Sequence, residues 1–326
     1  MDLLGTLEQA DCAKISLMRE DAEVLLGIDV HSSDFYRLLA LSNKLSREKF
    51  GDRGYVFAQI GINAEPCPIN CAFCSMARDH YAMDGTWRKD STAVLVEAAK
   101  LIEQGIDDLF LMTTADYPQE RFLEIATAVR AELPAEVRLV ANIGDFSDDI
   151  AHALKSAGCT GAYHICRMRE GQDTGATVEA REKTLDSITG AGLELYYCIE
   201  PIGPEHSHAE LASEMLRAQR LGVQAMAAMR RIPVPGTPLY ERGQISALEL
   251  TKIVAVSNLV VNPARCMNVH EPMQMPLLAG VNQLYAEVGA NPRDTTSLTE
   301  EGRGFSPAKA WELLAEGGWH GPALRS

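Results

Sequence analysis

Thr177-Val-Glu-Ala-Arg-Glu-Lys-Thr-Leu-Asp-Ser-Ile-Thr-Gly-Ala-Gly192, followed at once by Leu193-Glu-Leu-Tyr-Tyr-Cys-Ile199, is the stretch that decides the fold. Residues 177 to 190 read as a helix that ends at Gly192, and Leu193 to Ile199 is an apolar run of strand length. The same unit recurs on both sides at a period of about 30 residues, without a sequence repeat behind it. Upstream, helix 91–104 ends at Gly105 before strand Asp108 to Met112. Helix 119–132 stops before Pro134 and strand 137–141, and helix 147–157 ends at Gly158 before strand Ala162 to Cys166. Downstream, helix 207–220 ends at Gly222 before strand Gln224 to Met229, and helix 246–260 precedes a strand near Arg265 to Val269. Apolar strands that alternate with helices in this way form parallel βαβ units. With Gly54 to Ile60 counted, seven or eight strands are available, which fits an α/β fold of the (β/α) barrel type better than an open sheet.

Residues 1–50 are expected to form a helical extension, with residues 16 to 50 helical and an N-cap offered by Ser32-Ser33-Asp34. The barrel is expected over 51–290. The polar, glycine-rich tail at 291–326 carries one short helix, capped by Ser306 with Pro307 at its first position, that packs on the barrel.

The chain has 326 residues, 46% hydrophobic composition and a formal net charge of −15. That charge makes nucleic acid and membrane surfaces poor partners, and plain solubility accounts for it. Neither a signal peptide nor a run of about 20 apolar residues is visible, so a cytoplasmic location is expected. Eight cysteines in a reducing compartment read first as metal, redox or catalytic groups, or as small core residues.

Three of them form Cys67-Pro-Ile-Asn-Cys71-Ala-Phe-Cys74, a C-x3-C-x2-C run just beyond a strand. Three thiolates on one loop can hold three irons of a [4Fe–4S] cluster and leave the fourth open. An open iron can chelate the amino and carboxylate groups of S-adenosylmethionine, and one electron then cleaves the sulfonium to a 5′-deoxyadenosyl radical. Cys67, Cys71 and Cys74 are thus both metal ligands and catalytic groups. A structural zinc site is the competing reading, but the second ligand pair that zinc needs is absent.

This segment resembles the radical S-adenosylmethionine superfamily, and the chain from about 20 to 292 looks like its biotin-synthase-like branch. The resemblance implies that Phe73 covers the cluster. It places Phe110-Leu-Met-Thr113-Thr114-Ala-Asp116 at the turn for the S-adenosylmethionine amine, with Thr113, Thr114 and Asp116 as contacts. Arg181 matches the arginine for the cofactor carboxylate, and Gly236-Thr-Pro-Leu239 matches a KGTPL-like turn. Asn142 and Arg230, at strand ends, are further cofactor-binding candidates, with Arg231, Asp145, His164, Glu200, His270 and Glu271 beside them. A reductant such as ferredoxin or flavodoxin is implied.

Biotin synthase holds a second cluster with three cysteines and an arginine; the matching positions here are Leu111, Val140, Tyr196 and Arg265. The surviving arginine, Arg265, is expected to be catalytic. Cys166, Cys198 and Cys266, near strand ends, are candidates for a second Fe–S cluster, against a reading as core cysteines. Cys12 and Cys159 are poor ligand candidates. With a second cluster, the expected reaction is sulfur insertion into an octanoyl chain, as in two-component lipoyl synthases, with a lipoyl-carrier protein and a homologous partner synthase. Without it, the branch offers a carbon-skeleton rearrangement like that of methylornithine synthase, or biosynthesis of the [Fe]-hydrogenase guanylylpyridinol cofactor. A non-catalytic Fe–S electron carrier is the remaining alternative.

Overall fold

The computed structural model describes residues 3–10, 14, 16–271 and 273–321; Cys12 lies outside the described residues. Three helices, α1 (Leu3–Gln9), α2 (Arg19–Leu26) and α3 (Ser33–Phe50), precede the first strand. The expected helix over 16–50 is thus two helices. They part at Gly27, and Ser32 caps α3 by accepting a hydrogen bond from the Phe35 N–H at 3.3 Å.

The barrel follows as β1 (Tyr55–Gly61), a small hairpin of β2 (Asn63–Ala64) and β3 (Trp87–Arg88), then α4 (Ser91–Glu103), β4 (Asp108–Met112), α5 (Gln119–Glu132), β5 (Arg138–Asn142), α6 (Asp148–Ser156) and β6 (Gly161–Tyr163). It continues as α7 (Val178–Gly190), β7 (Glu194–Ile202), α8 (His208–Leu221), β8 (Ala225–Arg230), α9 (Ala247–Val261), β9 (Cys266–Val269) and β10 (Gln283–Val288), before α10 (Pro307–Glu316). Eight parallel strands close in the order β1-β10-β9-β8-β7-β6-β5-β4. Among the described residues no helix is long and apolar enough to cross a membrane.

Two strands differ from the sequence reading. The eighth, β10, pairs with β1 from Tyr55–Gln283 to Ile60–Val288 and completes the closure. It alternates polar and apolar residues and follows a single short 3-10 turn at Met275–Ala279, so neither an apolar run nor a helix announces it. The strand expected at 162–166 ends at Tyr163. Beyond it the Cys166 N–H bonds to the Tyr197 hydroxyl at 3.3 Å instead of continuing the ladder.

Alternate residues of each strand fill the barrel in layers. At the closed end, where strands begin, the Arg265 guanidinium holds both oxygens of Asp108 at 2.9 and 2.8 Å, and Tyr196 and Gln283 donate to the same carboxylate. Above them lie Phe57, Phe110 and Tyr285, with ring centroids 4.5 Å apart for Phe57–Phe110 and 5.6 Å for Phe57–Tyr285, and Tyr196 edge-on to Phe110 at 5.2 Å. The third layer, at the open end, includes Gln59, Asn142, Glu200 and His270.

Arg265 therefore does not sit where a reaction takes place. It is 7% exposed, pairs with a fully buried Asp108 and stacks on Tyr55, at the opposite end of the barrel from the strand termini. The expectation that it is catalytic is corrected on that ground. α10 and the residues after it pack against β1 and β10 at this closed end, where Trp311 donates to the Gly105 carbonyl and the Gly54 N–H bonds to the His320 carbonyl.

Arg265→Met strands Asp108 as an uncompensated buried charge and is expected to lower the unfolding free energy by about 3–5 kcal/mol. Urea denaturation measures this. A loss below about 1 kcal/mol, the range of exposed pairs, would show that the pair is not sealed from water.

Candidate active site

The three cysteines lie on the loop between β2 and β3, where Met76 and Met83 bury with Met112 and Ala290 in a small apolar cluster. The loop is also held by main-chain hydrogen bonds. Within the loop, Cys67 N–H bonds to the Met76 carbonyl at 2.7 Å, Cys74 N–H to that of Cys71 at 3.0 Å, and Arg78 N–H to that of Cys67 at 3.0 Å. From outside, Ala72 N–H reaches the Asp173 carbonyl, Ser75 N–H reaches Pro292, Gly175 N–H reaches Ile69, and Leu239 N–H reaches Ala72. Leu239 ends the Gly236–Leu239 turn singled out in the sequence. The loops after β6, β8 and β10 thus each grip the cysteine loop.

Cys67, Cys71 and Cys74 all face one cavity, which holds about 1050 Å³ of atom-free space with its mouth included. Burial pushes the Cys71 thiol up to about 11 and the Cys74 thiol higher still. Thiols this basic ionise when a metal takes the place of the proton. The Met76 N–H points at the Cys74 sulfur at 3.3 Å, a contact that favours a thiolate.

The opposite wall is built from the ends of β4 and β5. Thr114 is fixed by a reciprocal pair with Asn63, its N–H donating to Oδ1 at 3.0 Å and its hydroxyl meeting the Asn63 amide at 2.7 Å. Thr113 lines the cavity with a hydroxyl that is shut off from bulk water and has no hydrogen-bond partner. Gly144 lets the two turns close up, since a Cβ there would meet the Ala115 carbonyl oxygen at 2.2 Å. Asn142 also faces the cavity and bonds to Gln59 at 3.0 Å. Phe73 lines the cavity between the cysteines.

Arg181 reaches the cavity from α7 and is 3% exposed. Two carboxylates clamp it, Asp145 at 3.0 Å and Glu170 at 3.2 Å. Burial opposes the Asp145 charge, but the His164 hydrogen bond and the Arg181 guanidinium outweigh it and hold the carboxyl at about 2.

Other candidates lie elsewhere. Asp116 is exposed and does not line the cavity. Arg230 points away from it into a two-pronged pair with Glu271, and Arg231 into one with Glu205. Both expectations of a cofactor contact, Asp116 and Arg230, are corrected on those positions.

The three cysteines of the expected second cluster do not meet. Cys166 faces outward toward Glu214 and Arg217 on α8. Cys198 points inward, a layer below the cavity floor and close to Glu200 and His270. Cys266 lies lower again and bonds to Gln283 at 3.3 Å. Cys159 is buried and near Arg130. The depth at which Leu111, Val140 and Tyr196 replace cluster ligands is occupied by the Phe57, Phe110 and Tyr285 rings. These residues do not fit a second cluster.

Sequence reading missed Arg167, Tyr163, Gln59 and Arg293, which all line the cavity. Arg293 lies in the segment read as tail, where Asn291-Pro292 forms a turn that accepts the Arg293 N–H at 2.9 Å. An Asn-Pro pair straight after a strand is the signal that could have found it.

No family model matches the chain. Biotin synthase of Desulforudis audaxviator is 25% identical over 292 residues, 82% of this chain and 85% of the relative. Biotin synthase of Chlorobium luteolum is 29% identical over 239 residues, 68% of this chain and 70% of the relative. These similarities support a place in the radical S-adenosylmethionine superfamily, on its biotin-synthase-like branch. Members of this superfamily use a [4Fe–4S] cluster and S-adenosylmethionine. The fold agrees: methylornithine synthase superposes with a TM-score of 0.81 at 18% identity, covering 98% of this chain and 97% of that one. The FeFe-hydrogenase maturase HydG of Carboxydothermus hydrogenoformans gives 0.80 at 18% identity, with coverage of 97% and 77%.

The radical S-adenosylmethionine cofactors fit this cavity, on the strength of three convergent thiols and an orphaned Thr113 hydroxyl. Gly175→Ala tests how the thiols are held, because its Cβ would meet the Ile69 carbonyl oxygen at 2.8 Å and push the cysteine loop. Iron affinity, measured by chelator competition, is expected to fall about 10-fold, the cost of disturbing a ligand's support. Unchanged affinity would mean that the loop is ordered without this contact.

Proposed function

We propose that this chain is a radical S-adenosylmethionine enzyme that abstracts hydrogen from an unactivated C–H of a small polar substrate and completes the reaction without sulfur insertion. The observation that carries this reading is the convergence, on one cavity, of three thiols and a ring of strand-end polar side chains, with Cys166, Cys198 and Cys266 outside it.

The cofactors, when bound, supply one electron to the sulfonium and thereby a 5′-deoxyadenosyl radical that takes the substrate hydrogen. Cys67, Cys71 and Cys74 leave one iron corner free for the amino acid end of the cofactor. Thr113, Thr114 and Asn142 offer hydrogen bonds on the facing wall, and Phe73 covers the loop. Arg181, fixed by Asp145 and Glu170, sets a positive charge at the edge without freedom to move. Ile69, Met76, Met112 and Met229 give the cavity apolar walls, which keep water and stray hydrogen donors from the substrate. A one-electron reductant of the ferredoxin or flavodoxin type completes the system.

Sulfur insertion into an octanoyl chain, with a lipoyl-carrier protein and a partner synthase, needs a sulfur donor within reach of the substrate carbon. The arrangement of Cys166, Cys198 and Cys266 supplies none, and a charged floor suits an alkyl chain poorly. A rearrangement on a polar substrate is therefore the preferred outcome, and methylornithine synthase, of the same fold, performs chemistry of that kind.

Anaerobic reconstitution is expected to give about four irons per chain, in the parent and in Cys198→Ala alike. Reduction in the presence of S-adenosylmethionine is expected to release 5′-deoxyadenosine, and Cys71→Ala to abolish it. No 5′-deoxyadenosine from the parent would end the enzyme reading; extra iron that Cys198→Ala removes would restore sulfur insertion.

A further inference from the structure

Burying a charge is costly unless it is paired and hydrogen-bonded. Almost every charged group near this cavity obeys that rule. Arg181 has Asp145 and Glu170; Arg293 has Glu287, Asn291 and the His270 carbonyl; Arg230 has Glu271. Arg167 and Glu200 do not. The Arg167 Nε is shut off from solvent and has no hydrogen-bond partner. Its nearest acid oxygen, Glu200 Oε1, is 3.8 Å away, beyond hydrogen-bond reach. The other oxygen of Glu200 is 3.9 Å from His270 Nδ1, and the residue is 8% exposed and lines the cavity. Burial, with Arg293 adding to it, holds the His270 imidazole at about 3, so it is neutral and does not answer the carboxylate.

We propose that Arg167 and Glu200, a pair held just too far apart to satisfy each other, form the substrate subsite for a small zwitterion: an amino acid, whose carboxylate takes the Arg167 donors and whose ammonium takes the Glu200 oxygens. This rests on the reading of the cavity as a radical S-adenosylmethionine active site and names its substrate class. The pair comes from β7 and the loop after β6 and lines the same cavity as the thiols and the Thr113–Asn142 wall.

Two other occupants fit less well. Cys198, Glu200 and His270 offer ligand atoms within 4.8 Å of one another, but the Arg167 and Arg293 charges bear on the same carboxylate. A dication brings no anion to compensate them, whereas a zwitterion does. An octanoyl chain brings no charge at all and would leave both groups desolvated and unpaired.

The test uses the reconstituted holoenzyme loaded with S-adenosylmethionine, without oxygen. Thermal unfolding is followed with the twenty common free amino acids, their N-acetyl derivatives, their methyl esters, and octanoate. At least one free amino acid is expected to raise the melting temperature by about 2 °C or more, with the shift lost when either end is blocked. Arg167→Gln is expected to respond to acid and ester alike, and Glu200→Gln to free and acetylated amine alike. The proposal fails if no amino acid shifts the protein, if octanoate alone does, or if both variants keep the parent's discrimination. It also fails if Arg167→Gln weakens S-adenosylmethionine in equilibrium dialysis by the same factor as the amino acid, since the pair would then hold the cofactor's methionyl end. Release of 5′-deoxyadenosine from the same samples reports on the radical reading separately.

Discussion

The hydrogen bonds that enter the cysteine loop from other parts of the chain are the constraint on which the site depends. Fixing a residue's backbone costs about 1–2 kcal/mol in conformational entropy, and Met76 and Met83 recover part of it by burial against Met112 and Ala290. The rest of the loop's order comes from Asp173, Leu239, Gly175 and Pro292, which belong to segments after β6, β8 and β10. Each of these segments is placed by a different strand. The three thiols therefore converge only when the barrel has closed, and closure is completed by β10 against β1. The chemistry at one end of the molecule is conditional on the last strand pairing at the other end of the sequence.

Buried charges divide into two kinds along the barrel axis. At the closed end Asp108 receives Arg265, Tyr196 and Gln283, so every oxygen is occupied. At the edge of the cavity Asp145 and Glu170 saturate Arg181. These sets hold strands and helices in register and have nothing left to offer a ligand. The floor is different. Arg167 and Glu200 approach without bonding to each other, and both line the open cavity. The deficit alone does not decide, since Glu287 Oε2 and Arg303 Nη1 also stay unbonded at 3.9 Å; what sets Arg167 and Glu200 apart is that both line the cavity. Proximity to the cavity alone would have favoured Arg181.

The same distinction explains what could be read from the sequence. Cys67, Cys71 and Cys74 were legible because their spacing is itself the chemistry, and the helix–strand alternation was legible because each unit buries its own faces. β10 was hidden because its inward positions, Gln283, Tyr285 and Glu287, serve a barrel interior that is polar there. Cys166 is misplaced by a strand expected to run to it, whereas the strand ends at Tyr163 and the chain turns the thiol to α8. Arg265 and Arg230 are arginines at plausible strand ends, and only three-dimensional pairing reveals that both are committed elsewhere. Arg293 was overlooked because a polar, glycine-rich segment reads as a tail, although polar segments after barrel strands are the ones that line a mouth.

The rings of Phe57, Phe110, Tyr196 and Tyr285 carry the last step of the reasoning. They include Tyr196, at one of the positions the resemblance sets against cluster ligands, so the interior there is filled as well as lacking thiols. An aromatic fill with centroids about 5 Å apart is rigid and dry. It lies beneath Glu200 and His270 and gives the Glu200 charge a low-dielectric base. A carbon radical formed above such a floor meets carboxylate, imidazole and guanidinium groups, none of them a sulfur donor. In the reaction proposed above, its fate is set by how those groups hold the substrate.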